Sequence, residues 1–229
     1  MKKLLLLLAL VGVFAAGCSK LEELFERPVE DAVPETPIEG IEAVDLGLSV
    51  KWASCNVGAT KPEEYGDYFA WCETSPKDEY TEETYKYVKI TVTKDDLGEQ
   101  ITKYEWTDPG DISGTQYDAA SVNWGGNWRM PTKTEMVELY NNCTWTWTSL
   151  NGVNGMEVTG PNGNSIFLPA AGGRDGSSSV YVGSLGGYWS STPAEEGGDD
   201  AYNLIFNSDY REFDTHDRYP GLSVRPVLE

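Results

Sequence analysis

The segment just before the C-terminus, residues 207–221 (NSDYREFDTHDRYPG), concentrates side chains that are able to do chemistry. Two carboxylates placed across a sugar would suit a glycosidase. The candidates for such a pair are Asp209, Glu212, Asp214 and Asp217. His216, the only histidine of the chain, has no Ser or Cys beside it in sequence to serve as a nucleophile. Acidic residues are common throughout the chain and nothing isolates one pair, so we favour a binding face over a catalytic centre.

The two-residue period of a β-strand predicts a hairpin from the run AYNLIFN and the segment that follows it. Leu204, Phe206 and Phe213 point inward, and a turn at 207–209 joins the strands. The outward positions combine tyrosine, which gives contact area at low entropy cost, with short polar groups that supply hydrogen bonds. On this face, residues 202–219, the predicted ligand-binding residues are Trp189, Asn203, Asn207, Asp209, Tyr210, Glu212, Asp214, His216, Asp217 and Tyr219. Trp189 is included because the glycine before it and the turn after it predict an exposed indole edge.

Composition and charge limit the classes of partner. The 229 residues carry a formal net charge of −20, with a pI near 4.3. Nucleic-acid binding depends on clustered Lys and Arg, so the charge argues against it, and it argues equally against an anionic membrane surface. With 40% hydrophobic and 12% aromatic residues, the chain is able to bury one good core.

The N-terminus predicts export and a lipid anchor. Two lysines precede an apolar run that is too short to span a bilayer, and small residues then lead to Cys18. This stretch resembles a bacterial lipobox, so residues 1–17 are predicted to be a lipoprotein signal peptide and Cys18 the lipidated residue. An ordinary secretory signal with an incidental cysteine is the alternative. We expect an outer-membrane lipoprotein at the cell surface, with the periplasmic and external faces both left open.

Residues 18–43 are rich in Glu and Pro and predict an extended tether. The globular domain is predicted to span residues 44–229. Cys55, Cys72 and Cys143 remain after lipidation, and either one disulfide with one thiol or three buried thiols would satisfy this odd number. Their spacing does not resemble a zinc site.

Several short strand patterns and one clear helix predict an α+β fold with a small antiparallel sheet and long loops. The strand patterns include VDLGLSVKWASCNVGA, YGDYFAWCET, KYVKITVTKDD and LSVRPV. The helix is predicted at about 132–143, because Thr132 caps it and Glu135 completes a capping box. Arg129 just before it is expected to hold Glu135 or nearby carbonyls, and Arg225 is expected to be satisfied inside the fold. Most of the tryptophans are expected in the core or on its edges.

Six motifs carry a resemblance to a known family: VDLGLSVKWASCNVGA, YGDYFAWCET, WGGNWRMPTKTEM, NGNSIFLPAAG, GYWSST and GLSVRPV. In this order they resemble the Fibrobacter succinogenes major paralogous domain, which occurs in lipoproteins of the Bacteroidota. That family is similar to the C-type-lectin-like superfamily, and NWRMPTKTEM also looks like the helix entry of formylglycine-generating enzymes. The resemblance implies a C-type-lectin-like fold and a ligand face on the C-terminal half. It also implies, as a hypothesis, a target of a diversity-generating retroelement at residues 202–220.

Four functions follow from these observations as alternatives. A non-catalytic, adhesin-like module would bind a protein or glycan through the face at 202–219, and a structural or tip subunit would bury the same face against a partner. An enzyme of the formylglycine-generating type would need paired cysteines, whereas only Cys143 lies beyond position 72. A glycosidase is the fourth. We predict no cofactor and no metal, with a structural calcium ion as the open alternative. Its oxygen ligands would come from Asp199, Asp200, Asp209 or Asp214.

Overall fold

The computed structural model describes residues 40–194 and 198–229. Within these ranges thirteen short strands form five small antiparallel sheets beside few helices, which confirms the predicted mixed fold with small antiparallel sheets. The strands are β1 (Ala43–Val44), β2 (Lys51–Ala53), β3 (Val88–Lys94), β4 (Gln100–Trp106), β5 (Thr144–Leu150), β6 (Val153–Thr159), β7 (Ser165–Pro169), β8 (Gly173–Asp175), β9 (Ser178–Val180), β10 (Gly186–Pro193), β11 (Asp200–Phe206), β12 (Arg211–Asp217) and β13 (Val227–Leu228). The sheets have the orders β1-β2-β13, β3-β4, β5-β6-β7, β8-β9 and β10-β11-β12. The helices are α1 (Ala119–Trp124), α2 (Lys133–Asn142) and a 3-10 helix at Glu82–Thr84.

The helix predicted at about 132–143 is confirmed as α2, and its capping box is present. The Thr132 side chain accepts from the Glu135 backbone N–H at 3.3 Å, and the Glu135 carboxylate accepts from the Thr132 N–H at 2.8 Å. Arg129 donates to both carboxylate oxygens of Glu135, at 2.8 and 2.6 Å. This bidentate ion pair, with Glu135 one of the partners that the sequence predicted for Arg129, holds the residues before α2 against its first turn.

The sheet β10-β11-β12 lies between two hydrophobic clusters. Trp189 and Ala201, from one of its faces, belong to a cluster with Trp71 and Phe69. Tyr188, Leu204 and Phe206, from the other face, belong to a second cluster with Trp52 and the helix residues Met136 and Leu139. Side chains packed on both faces hold the middle of this sheet rigidly, and it is therefore a firm support for its exposed end.

Two predicted strands are mostly irregular. YGDYFAWCET has a single bridge between Phe69 and Leu222, and Cys72 has a φ of 68°, which β-strands do not adopt. LSVRPV forms a strand only at its end, in β13. Conversely, α1, β4, β5, β8 and β9 were not predicted. Residues 41–43, assigned to the tether, belong to the fold, because β1 pairs with β2 and the Glu42 carbonyl accepts from the Ser54 N–H.

Arg225 is fully buried, as the sequence predicted, and uses its guanidinium to tie three segments together. It donates to the Asn56 side chain at 2.8 Å, to the Ala53 carbonyl at 3.0 Å and to the Phe167 carbonyl at 2.9 Å. These acceptors are all neutral, and burial lowers the pKa of Arg225. Asn56 is therefore a buried amide with a full set of partners.

Cys55, Cys72 and Cys143 are free and buried, so the alternative with three buried thiols is the one that the structure has. The signal peptide, Cys18 and most of the tether lie outside the described residues. Among the residues that are described, none of the helices is long and apolar enough to cross a membrane.

Candidate ligand-binding cleft

The predicted C-terminal hairpin is present as β11 and β12. Its register pairs Asn203 with Asp214, Leu204 with Phe213, and so on without a break. The turn at Asn207–Tyr210 closes it, because the Asn207 side chain accepts from the N–H groups of residues 209 and 210 at 2.8 and 2.9 Å. The structure therefore confirms the predicted turn and the predicted inward positions.

The register divides the side chains of this sheet between two faces. Residues paired across an antiparallel ladder point to the same side. One face carries Leu204 and Phe213 towards the core, with Tyr202 stacked on Phe213 at 5.5 Å between ring centroids. The other face carries Asn203, Ile205 and the side chains paired with them and with Ala201, which are Asp214, Glu212 and His216. We call this second surface the cleft face.

A cleft of about 320 Å³ lies over the cleft face. Gly187, Ile205 and Asn203 contribute to its floor, and His216 stands beside them. The hairpin β8–β9 and residues 181–185 form one wall, and residues 219–222 form another. This volume falls at the lower end of the range for small-molecule sites, and the lining mixes apolar side chains with a few polar groups as such sites do.

Backbone hydrogen bonds hold the walls in place. Arg174 in β8 exchanges two bonds with Gly221, at 2.8 and 2.9 Å, and the Gly172 N–H donates to the Leu185 carbonyl at 2.7 Å. A Cβ on Gly172, whose φ is 66°, would lie 2.0 Å from the Val180 carbonyl oxygen. Only glycine allows the two strands to approach so closely here, so this residue type shapes the wall.

Asn203 is fully buried, which corrects the prediction that it faces solvent. Its side chain does lie on the predicted face, where it lines the cleft together with residues of the hairpin β8–β9 and of the C-terminal segment. Neither its Oδ1 nor its Nδ2 has a protein hydrogen-bond partner in the described ranges, 40–194 and 198–229. Buried amides are usually satisfied, and one left without a partner costs free energy. Asn203 therefore brings an unused acceptor and unused donors to the cleft, and the buried Nε of Arg174 adds one more donor without a partner among the described residues.

The prediction of an exposed indole edge at Trp189 is wrong, because the residue has no exposed surface. Its indole N–H donates to the Phe69 carbonyl at 2.8 Å. The ring meets His216 edge-on, with 6.3 Å between centroids. Trp189 therefore supports the floor beneath His216 and does not present a surface to a ligand.

Asp217 and Tyr219 do not share the cleft face in the way that was predicted. Asp217 pairs with Asp200, so it lies on the opposite side of β12 from His216. Tyr219 lies past the end of the strand, where it lines the cleft and packs against the cluster of Tyr80 and Tyr85. Burial, and then the nearby Asp217 carboxylate, raises the pKa of Tyr219 to about 12. Its hydroxyl therefore remains protonated at neutral pH and is able to donate a hydrogen bond.

The outer part of the hairpin is exposed and acidic, as predicted. Asp209, Glu212 and Asp214 are exposed, Asn207 is half-buried in the turn, and Tyr210 is 46% exposed at the tip. The neighbouring Arg211 lies on the other side, where its guanidinium stacks 4.7 Å above the Tyr140 ring. The predicted face is therefore exposed at the tip and along the outer edge of the hairpin, and its inner part lines a partly covered cleft.

Sequence reasoning missed the wall that completes the cleft. Arg174 donates to the carbonyls of Asp78 and Ser177, both at 3.2 Å. Tyr181 is 69% exposed at the rim, and its φ of 57° is a left-handed conformation that a bulky residue seldom adopts. The glycine-rich run GGRDGSSSVYVGSLG was the available signal, but only tertiary contacts bring it to the hairpin.

The candidate calcium ligands are spread along the hairpin. Asp199 and Asp200 lie at the start of β11, whereas Asp209 lies in the turn at its other end. Burial, followed by the carboxylates of Asp199 and Asp217, raises the pKa of Asp200. Across the part of the chain that the structure describes, no group of three or more His, Cys, Asp or Glu side chains is placed to hold a metal ion.

Comparison of the chain with protein-family models, with curated proteins and with solved structures gives no match.

Proposed function

We propose that the chain is a non-catalytic ligand-binding module, anchored through a lipid on Cys18 at the outer membrane and facing the cell surface. The observation that carries the proposal is the cleft beside the exposed hairpin, floored by a buried amide whose polar atoms have no protein partner among the described residues. The resemblance to the Fibrobacter succinogenes major paralogous domain, and with it a C-type-lectin-like fold, belongs to the same proposal. It is supported by the order of the six motifs and by the small antiparallel sheets.

Binding accounts for the hairpin chemistry better than catalysis does. Asp217 lies on the opposite side of β12 from Asp214. Glu212 and Asp214 share the cleft face, but both are exposed, whereas the acid of a glycosidase sits in an apolar environment that raises its pKa. Burial, and then the neighbouring Glu138 carboxylate, raises the pKa of Cys143 to about 11, and a reactive thiol needs the opposite shift. An exposed aromatic tip on a rigid sheet is typical of a recognition surface.

The test compares two exposed tyrosines on the full-length chain. Tyr210 is 46% exposed at the hairpin tip, and Tyr104 is 45% exposed on the separate hairpin β3–β4. Arrays of glycans and of purified extracellular proteins identify a ligand for the wild type. We expect Tyr210→Ala to weaken that binding by about 1–2 kcal/mol, because it removes an aromatic contact, without a change in thermal stability. Tyr104→Ala is the matched control and should bind normally.

A different result would refute the proposal. Equal binding by wild type and Tyr210→Ala would exclude the hairpin tip from the ligand site. If neither the glycan array nor the protein array yields a ligand, the chain is not a module that binds glycans or proteins. Loss of thermal stability in Tyr210→Ala would mean that the ring is part of the core.

A structural subunit of a surface assembly is the second candidate, and the hairpin β3–β4 favours it. Its exposed residues include Val92 at 56%, Ile101 at 41% and Tyr104. In the described chain, these two strands pair only with each other, so each presents an unpaired outer edge. Assembly through this hairpin predicts a concentration-dependent increase in mass by sedimentation that Tyr104→Ala abolishes. A monomer at all concentrations would contradict it.

A further inference from the structure

The Asn203 amide is the polar group that defines what the cleft is able to bind. It offers one acceptor, Oδ1, and the two donors of Nδ2, side by side. Neither atom has a partner within the described residues, although Asn56, the other fully buried asparagine of that part, is fully bonded. A group that pairs with Asn203 must therefore present a donor next to an acceptor.

This requirement excludes most charged groups. A carboxylate or a phosphate only accepts, and an ammonium only donates, so each leaves one side of the amide unpaired. A single trans peptide unit points its N–H and C=O in opposite directions and does not reach both atoms, although the N–H and C=O of one residue in an extended peptide lie on the same side and are able to. Two adjacent hydroxyls, or a primary carboxamide, do satisfy both. The shared feature of these ligands is that they are neutral.

The charged groups around the cleft also favour a neutral ligand. Glu212 and Asp214 extend from the cleft face, and Asp175 lines the opposite wall. On that wall the Arg174 guanidinium donates through Nη2 to two backbone carbonyls, and its buried Nε has no partner among the described residues, so one cation stands against these three carboxylates. A carboxylate on the ligand would meet like charges at the rim, which opposes binding.

The volume and the walls favour a ring over a single side chain. The cleft of about 320 Å³ is in the range of small-molecule sites. Val180, Ile205 and Leu222 give it apolar surfaces, and the exposed Tyr181 ring stands at the rim. The face of an aromatic ring carries partial negative charge and attracts the partly positive C–H groups of an apolar ring face. The left-handed backbone of Tyr181 is of the kind that is retained at functional sites.

We infer that the cleft binds one neutral sugar residue, with two adjacent hydroxyls on the Asn203 amide and the C–H face of the ring against Tyr181. The inference rests on the proposed function and names its ligand class. Because Asn203 has no exposed surface, a neighbouring side chain must turn aside first. His216 is the rotatable candidate, since it pairs with Ala201 and so lies on the cleft face next to Asn203.

Calorimetric titration of the full-length chain with single monosaccharides tests this inference. The probes are glucose, galactose, mannose, fucose and N-acetylglucosamine, together with glucuronate and galacturonate as charged counterparts of the same ring shape. We expect at least one neutral sugar to bind with a dissociation constant on the order of millimolar, the range for a ligand of about a dozen heavy atoms. The matching uronate should bind more weakly.

Three variants locate the site. Asn203→Leu keeps the shape of the side chain without its polar atoms, and we expect it to weaken sugar binding roughly tenfold or more, because two hydrogen bonds are lost. Tyr181→Gly removes the exposed ring and suits the positive φ, so it should weaken binding with the fold intact. His216→Ala should bind as well as the wild type or better. Tyr104→Ala is the control that should leave binding unchanged.

Each remaining outcome overturns the inference. Equal sugar binding by wild type and Asn203→Leu would place the sugar elsewhere. Binding of propionamide but of none of the sugars would show that the cleft takes the carboxamide of a protein ligand. If none of these probes binds, the Asn203 amide is not a ligand site for sugars or carboxamides. In the last two cases the proposed function still stands if Tyr210→Ala weakens capture of a protein ligand, so the two failures are distinguishable.

Discussion

Two fully buried asparagines give a matched pair for a stability experiment. Asn56 and Asn203 have no exposed surface, and leucine has the branched shape of asparagine without its polar atoms. Asn56 donates to the Tyr65 carbonyl at 2.8 Å and accepts from Arg225 at 2.8 Å. Asn203 makes no side-chain hydrogen bond with the described residues. The same substitution at the two positions should therefore have opposite effects.

The size of each effect follows from these hydrogen bonds. Asn56→Leu leaves a carbonyl and a charged guanidinium nitrogen buried without their partner, and we expect it to lower the free energy of unfolding by on the order of 3–5 kcal/mol. Asn203→Leu removes a buried amide and leaves no protein group unpaired, so it should raise the free energy of unfolding by up to about 1–3 kcal/mol.

Urea denaturation of the full-length chain, followed by tryptophan fluorescence, measures both changes. If Asn203→Leu is more stable than the wild type and no longer binds the ligand, the buried amide lowers the stability of the fold and is needed for binding. If Asn203→Leu is destabilised as strongly as Asn56→Leu, the amide has a partner in the folded chain and the reasoning is wrong.

Three further predictions concern charge and thiol chemistry. Burial acts to raise the pKa of Glu135, but hydrogen bonds from Arg129 and Thr132 outweigh it and lower the pKa. The stability lost in Glu135→Gln, about 1–3 kcal/mol, should therefore be complete above pH 4.5 and fade as the pH falls below it, as urea denaturation will show. Because burial and nearby carboxylates raise the pKa of Asp200, Asp217→Asn should raise the melting temperature at pH 7 but not below pH 3.8. The thiols of Cys55, Cys72 and Cys143 should resist Ellman's reagent at pH 8 until urea is added, since burial raises their pKa values, and fast labelling of these three would contradict their burial.

Local patterns predicted those parts of the structure that depend on local forces. The capping box at Thr132 and Glu135, the turn at 207–209 and the alternation along β11 are each set by neighbours in sequence, and each was found. Glu135 was one of the two kinds of partner predicted for Arg129, beside nearby carbonyls, because the two residues lie six positions apart at the start of a capped helix.

The cleft itself was not predicted, for a physical reason. The alternation of apolar and polar residues predicts on which side of a strand a side chain lies. It does not predict whether another segment of the chain covers that side. Asn203 was placed on the correct face, but it is buried there among the residues that line the cleft. Trp189, predicted to expose its indole edge, packs in the core with Phe69 and Trp71. The residues that line the cleft lie about 30 positions apart and more in the chain, as Gly172 and Asn203 do, and no local pattern encodes their proximity.

The most direct test of a binding cleft floored by Asn203 is to observe its side-chain amide during a titration. Proton–nitrogen correlation spectra of the full-length chain resolve side-chain NH₂ groups, with Asn56 as an internal reference. The Asn203 signals should shift and saturate as a neutral monosaccharide is added, while the Asn56 signals remain in place. Unchanged Asn203 signals at saturating ligand, or equal shifts for both residues, would contradict a ligand site at this amide.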